Sequence, residues 1–174
     1  MSTDFAHHLP IGAIRDGTLV EVAADPAERK RIAQRFGLPS LERLEAHVRL
    51  ERDGSDIRAR GRVQASLEQS CVVTGEPVAA LVDEPFEIIF LPEPSGDRPD
   101  HEIELGEADC DIVFHDGSAI DLGAAIEDTL ALALEPYPRT AGADAALKEA
   151  GVLSEEDAGP FAALAKLRQG DGNR

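Results

Sequence analysis

The chain has 174 residues, 43 % of them hydrophobic and 29 % charged, which supplies one packed domain and argues against global disorder. It has no Trp, a single Tyr and two Cys, which excludes an aromatic platform for single-stranded nucleic acid and a disulfide framework, and fits a reducing compartment. The net charge of −17 is unevenly spread: residues 1–70 hold 11 basic and 11 acidic side chains, whereas residues 71–174 hold 6 against 23, a surface that repels phosphate backbones.

The first residues show no basic region followed by an apolar run, and no apolar stretch reaches the roughly 18 residues that a membrane helix needs. The expectation is a soluble, cytoplasmic protein without membrane contact. Near residues 9–14 a short extended piece is predicted. His7 and His8 are adjacent, so their side chains diverge on a strand and hold no metal. Residues 18–23, Thr-Leu-Val-Glu-Val-Ala, read as a strand. Asp25-Pro26 opens a helix and Gly37 closes it. Arg29, Lys30, Arg31 and Arg35 give that helix a small, solvated basic face.

From Leu44 the period is two. Leu44, Ala46, Val48 and Leu50 alternate with Glu45, His47, Arg49 and Glu51; Asp53-Gly54 supplies a turn. Ile57, Ala59, Gly61, Val63, Ala65 and Leu67 then alternate with Arg58, Arg60, Arg62, Gln64 and Ser66. Arg49, Arg58, Arg60 and Arg62 would line the polar face of this hairpin, unless cross-strand pairing with Glu45 and Glu51 neutralises them. After a reversal at residues 74–77, residues 78–91 read as a long strand interrupted near Pro85. Residues 92–105 read as an acidic loop, 111–114 as a short strand and Asp116-Gly117 as a turn.

Residues 120–139 organise the second half. Asp121 is a helix N-cap, and Leu122, Ile126, Leu130 and Leu134 recur every four residues, widened by Ala125, Leu132 and Ala133. Ala124, Glu127, Asp128, Ala131 and Glu135 form the narrow hydrophilic side. Pro136 stops the helix, and Pro138 keeps Tyr137 and Arg139 on an extended segment that packing alone does not explain. One or two helical turns follow at 143–150, stopped by Gly151, and a short terminal helix at 159–169. The reading is a single α+β domain over residues 1–145. Its antiparallel, strongly twisted or barrel-like sheet is covered by one main helix at about 121–135, with a shorter N-terminal helix. A C-terminal tail with a short helix, which can be mobile, occupies residues 146–174.

No catalytic motif emerges. Cys71 has Thr74 where a second cysteine would complete Cys-x-x-Cys, Cys110 stands alone, and the acids around Asp109 and Asp111 lack calcium-loop spacing. Phosphate-loop, nucleophile-elbow and dinucleotide motifs are absent, and nothing selects one carboxylate pair as an acid and base. The expectation is a non-enzyme with no catalytic residues, cofactor or metal.

Two stretches carry a family resemblance. One is Gln69-Ser-Cys71-Val-Val-Thr74-Gly-Glu-Pro77-Val followed by Phe86-Glu-Ile-Ile-Phe90 and an acidic loop; the other is Ile120-Asp-Leu-Gly, residues 127–134 and Pro136-Tyr-Pro-Arg139. Over roughly residues 15–145 the chain resembles the YceD-like proteins, in their alphaproteobacterial form. The resemblance implies a role in accumulation of large-subunit (23S) ribosomal RNA and transfers no catalytic residue. Many relatives carry a Cys-x-x-Cys at Cys71 and Thr74, and some a cysteine-rich segment beyond Arg139; this sequence lacks both, so any metal binding suggested for those relatives does not carry over.

The expected partner is a large-subunit precursor or a basic ribosomal protein, with no DNA. The acidic half over residues 76–135 would hold a basic protein, and the Arg58, Arg60, Arg62 strand would touch RNA. Tyr137 and Arg139 are further candidate contact residues. Direct RNA contact and oligomeric state are left open. The competing reading is an acidic module that mimics nucleic acid toward a basic partner outside the ribosome.

Overall fold

The computed structural model describes residues 5–93 and 111–152. In chain order these form β1 (His8–Pro10), a 3-10 turn (Ile11–Ala13), β2 (Thr18–Ala23), α1 (Pro26–Phe36), β3 (Ser40–Asp53), β4 (Asp56–Ser70), β5 (Pro77–Pro92), β6 (Asp111–His115), β7 (Ala119–Asp121), α2 (Leu122–Ala133) and α3 (Ala143–Glu149). The fold is α+β, with a five-stranded sheet in the order β2-β3-β4-β5-β6 and a two-stranded pair, β1-β7. Two compact units divide the chain, Met1–Gln69 with Ala79–Pro136, and Ser70–Val78 with Tyr137–Arg174. No described helix is long and apolar enough to cross a membrane.

Local signals account for much of this. Asp25 accepts from the amides of Ala27 and Glu28 while Glu28 accepts from the Asp25 amide at 2.7 Å, a reciprocal cap on α1. Gly37 ends the helix at φ 65°, a left-handed conformation that costs glycine little. The long β3–β4 hairpin pairs Asp53 with Asp56 and Val48 with Gly61, so the alternation of each strand sends its apolar set to one side. Leu44, Leu50, Ile57 and Val63 from that side share one buried cluster with Ile32 of α1, Phe90 of β5 and Leu122, Ile126 and Leu130 of α2. Each such side chain contributes about 1.5–3 kcal/mol on burial.

Several expectations require correction. Among the described strands the sheet ends in two edges, β2 and β6, and does not close into a barrel. Its last pair is parallel, with Ile88 opposite Asp111 and Pro92 opposite His115. A parallel neighbour needs a long crossover, and residues 93–110 provide that length. Strand β5 runs through the exposed Pro85 without interruption. The main helix stops at Ala133, because Leu134 is already extended at φ −66°, ψ 139° ahead of Pro136. Leu132 is 81 % exposed rather than part of the apolar stripe, whereas Glu127, assigned to the hydrophilic side, is fully buried. The reason is α1: Arg35, read as solvated, reaches Glu127 Oε2 at 2.6 Å. The loop expected at 92–105 beyond Glu93, Cys110, and the terminal helix at 159–169 with most of the 146–174 tail lie outside the described residues.

Candidate functional site

The alternation of β4 places Arg58, Arg60 and Arg62 together on the face opposite Ile57, Ala59 and Val63. They do not form a free basic patch. Arg60 Nη2 lies 2.9 Å from Glu87 Oε1 and its Nη1 3.5 Å from Glu51, while Arg58 Nη1 is 3.4 Å from the same Glu87 oxygen. Arg62 donates through Nε to Asp83 Oδ1 at 2.8 Å and through Nη2 to the Asp83 carbonyl at 3.0 Å. That bond to Arg62 holds the Asp83 carboxyl below its ordinary range. Of the anticipated neutralising acids, Glu51 takes part, but Glu45 is bound to Arg43 on its own strand. The others come from β5, a strand whose place beside β4 is not readable from short-range pattern. Solvent screens such exposed pairs, so they balance charge more than they stabilise.

Tyr137 and Arg139 belong to the second unit, which is organised around Cys71. The Cys71 amide donates to Glu76 O at 2.8 Å, and the Gly75 amide returns to Cys71 O at 2.9 Å, closing a turn. The amides of Thr74 and Thr140 both donate to Cys71 Sγ at 3.4 Å, and Val72 N–H donates to Pro138 O at 2.9 Å. The Thr74 side chain above all, with the amides of Thr140, Thr74 and Val73, brings the thiol down to about 6 against the opposing effect of burial. Extended geometry divides the tetrapeptide: Pro138 is buried, Tyr137 is 72 % exposed, and Arg139 is exposed with Nη1 at 3.2 Å from Asp144.

Sequence reasoning missed a third feature, an open cleft of about 460 Å³ between β6, β7 and the start of α2. Its apolar walls are Phe90, Val113, Phe114, Ile120, Ala124 and Ala125, and Asp116, Asp121 and Asp128 supply acid. Asp121 Oδ1 caps α2 by accepting from Ala124 N–H at 3.2 Å, and the same oxygen accepts from His7 N–H at 3.1 Å. His115, buried in the cleft, accepts from Gly117 N–H through Nδ1 at 3.1 Å. Nδ1 therefore carries no proton, and Nε2–H donates to Ser55 O at 3.1 Å. The signal available beforehand was the run Ile-Val-Phe next to a turn, which reads as a strand and says nothing of an exposed wall. Among the described residues no group of three or more His, Cys, Asp or Glu side chains could hold a metal ion.

A family model described as large ribosomal RNA subunit accumulation protein YceD matches residues 59–168. The chain belongs to the YceD family. No curated protein and no solved structure matches it. The match starts within β4, so it takes in Arg60 and Arg62, the β5 acids, Cys71, β6, α2 and the Tyr137–Arg139 segment. Arg58, α1 and the N-terminal strands of this YceD-family protein precede it, a later start than the resemblance over residues 15–145 implied.

Proposed function

We infer that this YceD-family protein supports accumulation of large-subunit (23S) ribosomal RNA in the cytoplasm, without catalysing a reaction, through contacts with a large-subunit precursor or a basic ribosomal protein. The match over residues 59–168 carries the reading, because that family's description names large ribosomal RNA subunit accumulation. The charge supports a protein partner ahead of direct RNA binding. The arginines of β4 already face Glu51, Asp83 and Glu87, and the whole chain is at −17. Deletion of the gene would lower the ratio of 23S to 16S RNA and the large-subunit peak in a gradient; unchanged ratio and profile would remove the reading.

The same ion pairing favours a second reading, an acidic module that mimics nucleic acid toward a basic partner outside the ribosome. Affinity capture separates the two. Ribosomal proteins dominate the captured partners under the first reading and are missing under the second.

A further inference from the structure

The cleft opens along β6, the last strand in the sheet order, which has no neighbour on its outer side among the described strands. In the parallel ladder with β5, Glu93 N–H donates to His115 O at 2.9 Å, so the peptide groups of His115 and, two residues earlier, Val113 turn toward β5. Those of Ile112 and Phe114 point the other way, to the open edge. Natural sheets blunt such edges with charge, proline or a bulge. β6 reads Asp-Ile-Val-Phe-His, with Val113 39 % and Phe114 48 % exposed, and nothing of that kind interrupts it beyond Asp111.

Across the gap, Ala124 and Ala125 of α2 are short enough to leave room, and Asp128 is exposed and makes no ion pair among the described residues. Asp116 accepts from the hydroxyl and amide of Ser118, bonds that hold its carboxyl low and keep it ionised. Among the described residues no Lys or Arg lines the cleft. A phosphate backbone is therefore repelled. Residues 94–110 of this chain, with six acids and one Arg, are unsuited by the same charge argument.

We propose that the cleft binds a basic, extended peptide segment that adds to β6 as a further strand, its backbone pairing with the peptides of Ile112 and Phe114. Alternation then puts its successive side chains on opposite faces of the sheet, one set beside Val113 and the other beside Phe114, and Lys or Arg side chains among them meet Asp116 and Asp128. This rests on the preceding reading for its choice of a basic protein partner, and it names the place and the geometry of that contact.

A fluorescein-labelled peptide, Lys-Val-Arg-Phe-Lys-Val-Arg, titrated with the full chain at moderate salt tests it by anisotropy. Saturable binding is expected, weakened about tenfold by Asp128→Lys and by methylating alternate peptide amides, and unchanged by Glu149→Lys, an exposed acid outside the cleft. The methylated peptide needs no altered protein, so misfolding of a variant cannot account for its effect. Equal binding of the methylated peptide, equal weakening by Glu149→Lys, or no binding at all would overturn the proposal. The accumulation reading falls separately, on an unchanged 23S to 16S ratio after deletion.

Discussion

Arg35 of α1 donates to Glu127 of α2 at 2.6 Å, and Glu127 has no solvent exposure while Arg35 is partly exposed. A buried carboxylate in the second turn of an apolar helix is costly unless a cation meets it. The guanidinium does so from the last turn of α1, where it also lies 5.3 Å from the centroid of the Phe36 ring. The pair therefore couples the two helices that contribute to the core.

Arg35→Ala would leave a buried charge with its cation removed. A loss of about 3 kcal/mol is expected, at the low end for a broken buried pair because Arg35 is partly solvated. Arg35→Leu combined with Glu127→Leu would recover most of it. Urea denaturation of the three proteins measures both steps, and a double variant no more stable than Arg35→Ala would show that the pair is not the cause.

Much of the frame could be read from short-range pattern. Period-two alternation from Leu44 to Leu67 located the long hairpin, Asp25-Pro26 and Gly37 bounded α1, and Asp121 with the four-residue spacing of Leu122, Ile126 and Leu130 located α2. What was not legible depends on neighbours far along the chain. Glu127 reads as surface until Arg35, 92 positions earlier, is known to reach it. Arg62 reads as a free cation until Asp83 of β5 is beside it. The cleft is likewise a consequence of β6 lying parallel to β5 at the sheet edge, which no residue of β6 announces.

Gly123 supplies a test in which helix propensity predicts the wrong sign. Alanine is favoured over glycine in a helix, by up to about 1 kcal/mol in the interior and by less in the first turn, where Gly123 sits. A Cβ at this position, however, would stand 1.7 Å from the Phe5 carbonyl oxygen and 2.8 Å from the His7 amide nitrogen, both backbone atoms. Gly123→Ala must therefore push the N-terminal segment off α2, disturbing the His7 and Leu122 hydrogen bonds and the β1–β7 pair. A net loss of about 1–3 kcal/mol is expected. A thermal midpoint at or above that of the parent would refute it.

Cys71 gives stability a dependence on pH with a definite sign. Its folded value of about 6 lies below the ordinary thiol value near 9, so the native state binds the proton less tightly than the unfolded chain. The resulting stabilisation is complete above the unfolded value and disappears as pH falls through 6. Between pH 6 and 9 the parent should gain stability relative to Cys71→Ala, with no divergence below pH 6. Parallel pH profiles for the two proteins would show that Thr74 and Thr140 do not favour the thiolate. Thr74→Val provides the graded case: it removes the hydroxyl, the largest influence on the thiol, and should move the rise toward higher pH.

Tyr137 and Arg139 separate a structural role from a contact role. The Pro138 carbonyl, accepting from Val72 N–H, and the Thr140 amide, donating to Cys71 Sγ, fasten the segment to the Cys71 turn, and substitution of their exposed neighbours leaves both bonds in place. The Arg139 pair with Asp144 lies at the surface, where such pairs contribute about 0–1 kcal/mol. Tyr137→Ala with Arg139→Ala should therefore fold with a midpoint close to the parent. If an aromatic and a guanidinium presented on a fixed extended segment form a partner contact, the same variant fails to restore the 23S to 16S ratio in a deletion strain. Full restoration by the folded double variant would make the segment a strut for Cys71 alone. Pro138→Ala, which alters the buried member instead, is the matched control: it should lower stability of the Cys71 turn while leaving both exposed side chains in the sequence.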